Sequence, residues 1–225
     1  MTKNNGFEEA AGLFFGIEQG WPHYRQRQIV ALLLRQSLGI RRARYASRAL
    51  MERFGSLPAI VAAPTDRLME VPGVGRSSAA LFAAISAAAV CVARTRIDLN
   101  RPVLASWPQL IDYCHAAMAH DDVEKFRILF LDRKNRLIKD EVQQVGTVDH
   151  TPVFPREVIR RALELSATAL ILVHNHPSGD PAPSSADVRM TKEIAEIAKT
   201  LGITLHDHII VGKSGHASLR GLHLI

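Results

Sequence analysis

Three residues of the types that bind zinc lie close together in this sequence. His174 and His176 are two residues apart at the end of an apolar segment, and Asp187 follows eleven residues later. In a β-strand, residues i and i+2 project from the same face, so the two imidazoles can bind one cation together. Two histidines and one carboxylate leave a fourth tetrahedral position open, which is typical of catalytic rather than structural zinc. Such an ion lowers the pKa of bound water and polarises a carbonyl group, and the pattern therefore predicts one zinc ion per chain.

Each part of this pattern also has a purely structural interpretation. Ser184 and Asp187 precede an apolar helical segment at the spacing of an N-terminal capping box. The two histidines taken alone could be ordinary surface residues at the end of a strand. The loop between His176 and Asp187 contains three prolines and one glycine, which can turn the next helix back towards the strand end. The two parts in this order and at this distance favour a metal site.

The pattern H-x-H-P, followed by a serine and by an aspartate three residues after it, resembles the JAMM metallopeptidase motif of JAB/MPN domains. The flanking segments narrow the resemblance to the RadC family, whose members are historically labelled DNA repair proteins. The similar segments are GTVD at 146–149, PREVIRRALEL at 155–165, ILVHNHPSGDPAPS at 171–184 and DHIIVG at 207–212. The resemblance covers nearly the whole chain and is stronger over 100–225 than over the preceding residues.

The resemblance implies roles for particular residues. In JAB/MPN domains of the JAMM type, two histidines and an aspartate bind zinc, which makes His174, His176 and Asp187 the ligands here. The serine of the motif helps to stabilise the tetrahedral oxyanion, and this role maps onto Ser184. The resemblance also implies a layered α/β fold of the JAB/MPN type, which is cytidine-deaminase-like, for the second half of the chain.

The family also uses an upstream glutamate as general acid/base. Glu124 matches this position best, because it lies immediately before the predicted strand 126–131. Glu141, within the next predicted strand, is the alternative. Glu124 could instead be a solvated residue of the acidic segment 121–124.

We therefore expect a zinc-dependent hydrolase of the JAMM type that acts on a peptide or protein substrate as a metallopeptidase or isopeptidase. The alternative is a non-catalytic DNA-associated or protein-binding module with a structural zinc, because a fold alone does not determine a function. A second group with ligand chemistry is His206-Asp207-His208. It forms either a second metal site or, as we favour, a group in which one histidine bonds inside the domain and orients the first ligands.

The elements that must position these residues change character along the chain. Helical periodicity dominates the first half and strands appear in the second, which predicts an α+β protein with an all-α domain at 1–99 and an α/β domain at 100–225, joined near Asn100-Arg101-Pro102. The predicted helices of the first half are residues 26–39, 42–54, 57–62, 66–70 and 77–94. The second half is predicted to contain helices at 106–118, 155–165 and 185–201 and strands at 126–131, 137–147, 169–173, 203–205 and 208–211.

The net positive charge of the chain lies in its first part. Residues 1–98 contain 13 Lys and Arg against 7 Asp and Glu, whereas residues 99–225 contain 15 of each. Within the basic part, Gly73 and Gly75 stand between two helical segments, followed by Arg76 and Ser77. This arrangement resembles a helix-hairpin-helix motif, whose backbone N–H groups bind phosphates. It predicts nonspecific DNA binding, and the alternative is a structural turn between packed helices.

Composition points to a cytoplasmic protein without a membrane segment. The first ten residues include Asn, Lys and Glu and precede no apolar region of a secretory signal. The two cysteines, Cys91 and Cys114, are too few for a disulfide framework and suggest a reducing compartment. The longest apolar segment, residues 81–93, is rich in alanine and is interrupted by Ser86, so we expect a buried helix there rather than a membrane span.

Overall fold

A computed structural model of the protein describes residues 22–97, 102–146 and 153–225. The chain divides into two compact units, one ending at Ser86 and the other beginning at Ala87. Residues 100 and 101 of the predicted linker, residues 147–149 of the GTVD segment and residues 1–21 lie outside the described residues.

The described part of the first unit is helical. Its helices are α1 (His23–Phe54), α2 (Leu57–Ala62), α3 (Thr65–Met69) and the start of α4 (Arg76–Thr95). The backbone of α1 leaves the helical conformation at Gly39, with φ 73° and ψ 166°, so the predicted end of a helix at this glycine is confirmed. Ser56 accepts a hydrogen bond from the N–H of Ala59 and thereby caps α2. An apolar core formed by residues from all four helices holds the unit together, and its largest members include Leu34, Leu50, Met51, Ile60, Leu68 and Phe82.

Helix α4 differs from the buried helix that we expected over residues 81–93. By length and composition alone it is long and apolar enough to cross a membrane, which for a single helix is weak evidence of a span. Only 17% of its most apolar stretch is buried, and Val92 is 54% exposed. The expectation of burial was wrong because alanine has a strong helix propensity and little apolar surface, so an alanine-rich helix can form without being enclosed.

The second unit contains one five-stranded mixed sheet with strand order β2-β1-β3-β4-β5. The strands are β1 (Lys125–Leu131), β2 (Leu137–Val145), β3 (Ala169–Asn175), β4 (Thr204–Gly212) and β5 (Gly215–Ser218). Strands β3 and β4 run parallel and the other neighbouring pairs are antiparallel. The helices are α5 (Trp107–Met118), preceded by a short 3₁₀ helix (Val103–Ser106), then α6 (Pro155–Glu164) and α7 (Ser185–Thr200). These elements confirm the predicted α/β character of the second half.

Two predicted strands, 203–205 and 208–211, are a single strand in the structure. The polar segment between them is accommodated because the register of β4 shifts opposite Leu170 and Ile171, which leaves His206 as an extra residue. The carboxylate of the buried Asp207 accepts hydrogen bonds from the backbone N–H groups of His208 and Arg220 and from the hydroxyl of Ser218. Partners distant in sequence therefore satisfy polar groups that had suggested a loop.

Helices cover both faces of the sheet. On one face, Leu110, Cys114 and Met118 of α5 pack against a core that includes Ile171 and Val173. On the other face, residues of α6 and α7, among them Ile194, pack against the alternate side chains of the same strands, including Phe126, Phe130, Leu170 and Leu172. Every residue of β3 is buried. This central strand, enclosed on both faces, carries His174 and Asn175 at its carboxyl end.

A buried ion pair joins β1 and β2 beneath α5. Arg127 Nη1 donates to Asp140 Oδ1 over 2.6 Å and to the Tyr113 hydroxyl over 2.9 Å. The Tyr113 hydroxyl donates in turn to the second oxygen of Asp140. The side chains of Arg127 and Asp140 are only 15% and 5% exposed. Each charge is therefore stable in the interior only while its partner is present.

We expect Asp140→Ala to lower the free energy of unfolding by about 3–5 kcal/mol, because it leaves the buried Arg127 without a counter-ion. Urea denaturation measures this change. The matched control is Glu157→Ala, whose carboxylate pairs with Arg160 on the surface and is 42% exposed. The control should cost less than about 1 kcal/mol. Equal stability of the two variants would contradict the assignment of the Arg127 pair as buried and mutually dependent.

Candidate metal centre

The three predicted ligands come together at one edge of the sheet. His174 is the last residue but one of β3. His176 follows the strand and donates its backbone N–H to Val211 O over 2.9 Å. Asp187 lies in the first turn of α7. One candidate ligand atom from each of the three residues lies within 4.8 Å of the other two. The described residues thus form a His/His/Asp cluster that could hold a metal ion.

The distances within this cluster suit a tetrahedral ion. The Nε2 atoms of His174 and His176 are 3.0 Å apart. Asp187 Oδ1 lies 3.4 Å from His174 Nε2, and Asp187 Oδ2 lies 3.7 Å from His176 Nε2. Ligand atoms of tetrahedral zinc, with bonds of about 2.0 Å, lie roughly 3.3 Å from one another. The three side chains therefore fit around a single small cation.

A close contact between two glycines holds the loop that follows β3. A Cβ atom built on Gly212 would lie 2.3 Å from Gly179 O, so no other residue fits at the end of β4. Gly179 has φ 93°, and its carbonyl accepts a hydrogen bond from Ser214 Oγ over 2.8 Å. The carbonyl of Asp180, also in this loop, lies 2.8 Å from His176 Nδ1. The end of β4 thus positions the loop that orients one ligand and leads to the other.

The outer nitrogens of both imidazoles face groups that determine their tautomers. His176 Nδ1 donates to the carbonyl of Asp180, which can only accept. His174 Nδ1 lies 2.7 Å from His208 Nε2. With Nδ1 protonated on both rings, each Nε2 carries a lone pair directed at the other and towards Asp187. Two lone pairs and a carboxylate in this proximity repel one another unless a cation lies between them, and this chemistry fits a metal ion.

A buried chain of hydrogen bonds connects two of the ligands. His174 Nδ1–H donates to His208 Nε2, and His208 Nδ1–H donates to Thr191 Oγ1 over 2.6 Å. Thr191 Oγ1 then donates to the backbone carbonyl of Asp187 over 2.5 Å. His208 and Thr191 are completely buried. His208 therefore has the orienting role that we favoured for one histidine of the 206–208 group, whereas His206 Nε2 bonds Asn135 Oδ1 at the opposite end of the sheet.

The electrostatics of the cluster favour the metal-binding protonation states of His174 and Asp187, two of its three residues. Burial lowers the pKa of His174 to about 4 and lowers that of His208 well below its usual value. Burial would raise the pKa of Asp187, but hydrogen bonds from His176 and Ser184 and the neighbouring His174 hold it well below its usual range. When His176 is protonated, its Nε2–H donates a hydrogen bond to Asp187, which raises the pKa of this half-buried residue, so a metal ion must displace that proton. Near neutral pH, His174 is thus neutral and Asp187 is ionised, as metal binding requires.

The two candidate general bases lie in different surroundings. Glu124 is half-buried immediately before β1, between two backbone groups that bond the side chain of Asn175, the residue next to both histidines. Its charge contributes to the raised pKa of His176, after the hydrogen bond with Asp187. Glu141 accepts hydrogen bonds from Arg161 Nε and Nη2 over 2.8 Å and 2.5 Å. This ion pair lowers the pKa of Glu141. The structure therefore associates Glu124 with the cluster and Glu141 with a salt bridge to α6.

Ser184 forms the N-terminal capping box of α7 with Asp187, as the structural interpretation of the sequence predicted. Its hydroxyl accepts the N–H of Asp187 over 3.1 Å and donates to Asp187 Oδ2 over 2.6 Å. The backbone N–H of Ser184 also donates to Asp187 Oδ2 over 2.7 Å. Asp187 is thus a helix-capping residue and a member of the cluster at once. Because both bonds from Ser184 reach Oδ2, Oδ1 remains the carboxylate oxygen directed at His174.

Far from this cluster in sequence, the glycine hairpin of the first unit presents polar groups at the surface. Gly73 has φ 86° and lies beside Ala46 of α1, while Val71 and Val74 anchor the hairpin in the core. The residues predicted to contact nucleic acid, Gly73, Gly75, Arg76 and Ser77, are all exposed. The hairpin immediately precedes the N-terminus of α4. This arrangement leaves the backbone N–H groups at the start of α4 accessible to an anion.

Sequence reasoning missed two polar residues that surround the His/His/Asp cluster. Thr191 stands four residues after Asp187 on the same face of α7, a spacing that could have indicated its contact with the carbonyl of Asp187. Asn175 stands between the two histidine ligands and is completely buried. Its position in the motif was visible, but its hydrogen-bonding partners lie too far away in sequence to be inferred.

A comparison with protein-family models gives an independent result for the second unit. The model described as RadC-like JAB domain matches residues 104–224. The match includes all strands of the sheet and all three residues of the His/His/Asp cluster. It confirms the family resemblance identified from the sequence.

We expect Thr191→Val to weaken zinc binding by about 10- to 100-fold, because the valine cannot accept the N–H of His208 and the orientation of His174 is lost. Competition with a chromogenic chelator measures the zinc affinity. The matched control is Thr200→Val on the same helix, whose hydroxyl bonds only the carbonyl of Ile197. Wild-type zinc affinity in Thr191→Val would show that the hydrogen-bond chain does not orient the ligand.

Proposed function

Because the chain belongs to the family of RadC-like JAB domains, we propose that it is a zinc-dependent hydrolase that cleaves peptide or isopeptide bonds. The observation that carries this proposal is the cluster itself. The Nε2 atoms of His174 and His176 lie 3.0 Å apart and 3.4 and 3.7 Å from the carboxylate oxygens of Asp187, and the described residues supply three protein ligands to the cluster. Three protein ligands are the number found in catalytic zinc sites, whereas structural sites usually have four.

The residues present are suited to holding zinc. His174 and His176 would bind it through Nε2 and Asp187 through Oδ1, while the hydrogen bonds to His208 and Asp180 keep the outer ring nitrogens protonated. When bound at an open site of this kind, zinc activates water and polarises the carbonyl of the substrate.

The side chains around the cluster would complete the reaction. Glu124 would accept a proton from the attacking water and deliver it to the leaving amine, because its carboxylate acts close to His176. Ser184 would direct its hydroxyl to the developing oxyanion after releasing Oδ2 of Asp187, to which it donates in this structure. The assignment of Glu124 over Glu141 rests on the ion pair that occupies Glu141.

One observation favours the alternative, a DNA-associated or protein-binding module with a structural metal and no turnover. The capping box and the buried chain through His208 give Asp187 and His174 a role in the stability of the domain. The two proposals differ in their requirement for Glu124, which the alternative leaves without a chemical role.

The purified protein is expected to contain close to one zinc ion per chain, and His174→Ala is expected to lose it. Elemental analysis after extensive dialysis measures the zinc content. The matched control is His206→Ala, which removes a histidine from the same sheet at the end that bonds Asn135 and should retain the metal. A wild-type protein without zinc, or equal retention in both variants, would exclude the metal centre.

Turnover separates the enzyme from the non-catalytic module. The zinc-loaded protein is incubated with a quenched-fluorescent peptide library and with peptides joined through a lysine ε-amino group. We expect Glu124→Gln to retain zinc and to reduce the cleavage rate by at least about 100-fold. A zinc-loaded wild type that cleaves neither probe supports the alternative, and a fully active Glu124→Gln removes Glu124 from the mechanism.

We further propose that the first unit is a separate domain that binds DNA without sequence preference. In addition to the exposed hairpin, the neighbouring helix α1 carries the exposed arginines Arg41, Arg42 and Arg44. Arginine and helix N-termini both bind phosphates, and phosphate contacts position a protein on a duplex but specify no sequence.

The unpaired cysteines, Cys91 and Cys114, support a reducing compartment, and we propose a cytoplasmic location.

For DNA binding, we expect the logarithm of the affinity to fall linearly with the logarithm of the salt concentration. Gly75→Glu should weaken binding by at least about 10-fold, because its carboxylate repels phosphate at the start of α4. A Cβ at Gly75 meets nothing within 4 Å, so the fold should tolerate the change, and Gly75→Ala is the uncharged control. Fluorescence anisotropy with a labelled duplex measures both effects. Binding insensitive to salt and to Gly75→Glu would exclude this surface.

A further inference from the structure

Asn175, between the two histidines of the metal cluster, makes a pair of hydrogen bonds that no part of the proposed function uses. The side chain is completely buried. Its Oδ1 accepts the backbone N–H of Lys125 over 2.8 Å, and its Nδ2 donates to the backbone carbonyl of Val123 over 3.0 Å. These two backbone groups flank Glu124 on either side. One side chain therefore connects the metal-binding strand to the segment that carries the proposed general base.

The position of Asn175 in the sheet explains this connection. The ladder between β1 and β3 ends at the pair Phe126 and His174. Beyond this pair, the side-chain amide of Asn175 replaces the backbone as the hydrogen-bonding partner of the first strand, and its bonds extend the pairing to Val123. On the opposite side, the backbone N–H of Gly146 donates to the carbonyl of Glu124 over 2.8 Å. The backbone at Glu124 is thus fixed from two neighbouring strands.

The chemistry of the side chain suits this bridge. An amide offers an acceptor and a donor at the same time, whereas a carboxylate only accepts and an aliphatic side chain does neither. A buried amide without partners would be costly, and here both of its functions are used by the segment 123–125. The same residue adjoins His174 and His176 in sequence, so a displacement of β3 carries the ligands and the Glu124 segment together.

We propose that Asn175 is a positioning residue that sets the distance between the Glu124 carboxylate and the metal cluster. This inference rests on the proposed function, because it gives Glu124 the role of general base. Asn175 contributes no ligand and touches no substrate in this scheme. It acts by making the location of Glu124 depend on the strand that supplies the histidines, and a small displacement of a general base is costly to the reaction.

The test uses Co²⁺ in place of zinc, since its visible spectrum reports the environment of the bound ion without a substrate. The pH midpoint of the spectral change is measured for the wild type, Glu124→Gln, Asn175→Ala and the double variant. Removing the negative charge of Glu124 is expected to lower the midpoint by about 1 pH unit. Asn175→Ala should lower it in the same direction by less. The double variant should match Glu124→Gln, because Asn175 acts only through Glu124.

Two further measurements separate positioning from general damage to the fold. Amide hydrogen exchange at Lys125 should be faster in Asn175→Ala, because its N–H loses its acceptor. Asn135→Ala removes an asparagine side chain at the opposite end of β1, where it bonds His206, and should leave the cobalt midpoint unchanged. Asn175→Ser serves as a milder variant if the alanine variant does not fold, since one hydroxyl cannot span both partners.

The outcomes are distinct. A shift in Glu124→Gln and in Asn175→Ala, with none in Asn135→Ala and no further shift in the double variant, supports the proposal. A shift in Glu124→Gln with a wild-type midpoint in both Asn175 variants overturns the role of Asn175 and leaves the proposed function intact. An unchanged midpoint in Glu124→Gln overturns the base assignment together with the inference. Additive shifts in the double variant would show that Asn175 acts independently of Glu124.

Discussion

The hydrogen bond between His174 and His208 orients the candidate metal cluster. Because Thr191 donates its hydroxyl proton to Asp187 O, it accepts from His208 Nδ1, and His208 Nε2 then accepts from His174 Nδ1 over 2.7 Å, which leaves a lone pair on His174 Nε2. The bond is buried, so water cannot replace either partner, and Thr191 extends it to the backbone of Asp187. A single chain of neutral hydrogen bonds therefore sets the tautomer of one ligand and the position of another.

The parallel pairing of β3 and β4 makes this chain possible. It brings His208 of β4 beside Leu172 and next to His174, and it brings the end of β4 against the loop that leads to Asp187. The backbone of Gly179 can approach Gly212 this closely only because Gly212 has no side chain. The neighbouring antiparallel strand β1 then brings Glu124 to the same edge of the sheet. The histidines and the proposed base thus lie at the ends of two neighbouring strands, β3 and β1, which share one ladder of backbone hydrogen bonds.

The stability of the domain and the proposed chemistry depend on the same residues. Asp187 caps α7 through Ser184 and belongs to the metal cluster, and Asn175 completes the sheet while flanking Glu124. Changes at these positions affect both properties, and this is why the alternative of a non-catalytic module remains chemically reasonable. Readouts that report on the bound metal, rather than on folding, distinguish the two.

The amino-acid sequence by itself determined the donor set, the family and the elements with strong local periodicity. The histidines and the aspartate were visible because their spacing lies within one strand, one loop and one helix turn. The helix ends were predicted for the same reason. Gly39 interrupts α1, the capping box at Ser184 begins α7 and Gly202 follows its end, and each of these signals extends over only a few residues.

Only the tertiary structure decided how these pieces are coupled. It showed that His208 rather than His206 orients a ligand, that one strand spans the polar segment at 206–208, that Glu141 pairs with Arg161, and that residues 81–93 are largely exposed. The physical reason is the separation along the chain. His174 and His208 are 34 residues apart, and Asn175 and Lys125 are 50 residues apart. Hydrogen bonds over such separations depend on strand order and register, which arise from the packing of the whole sheet and leave no periodic signal in the sequence.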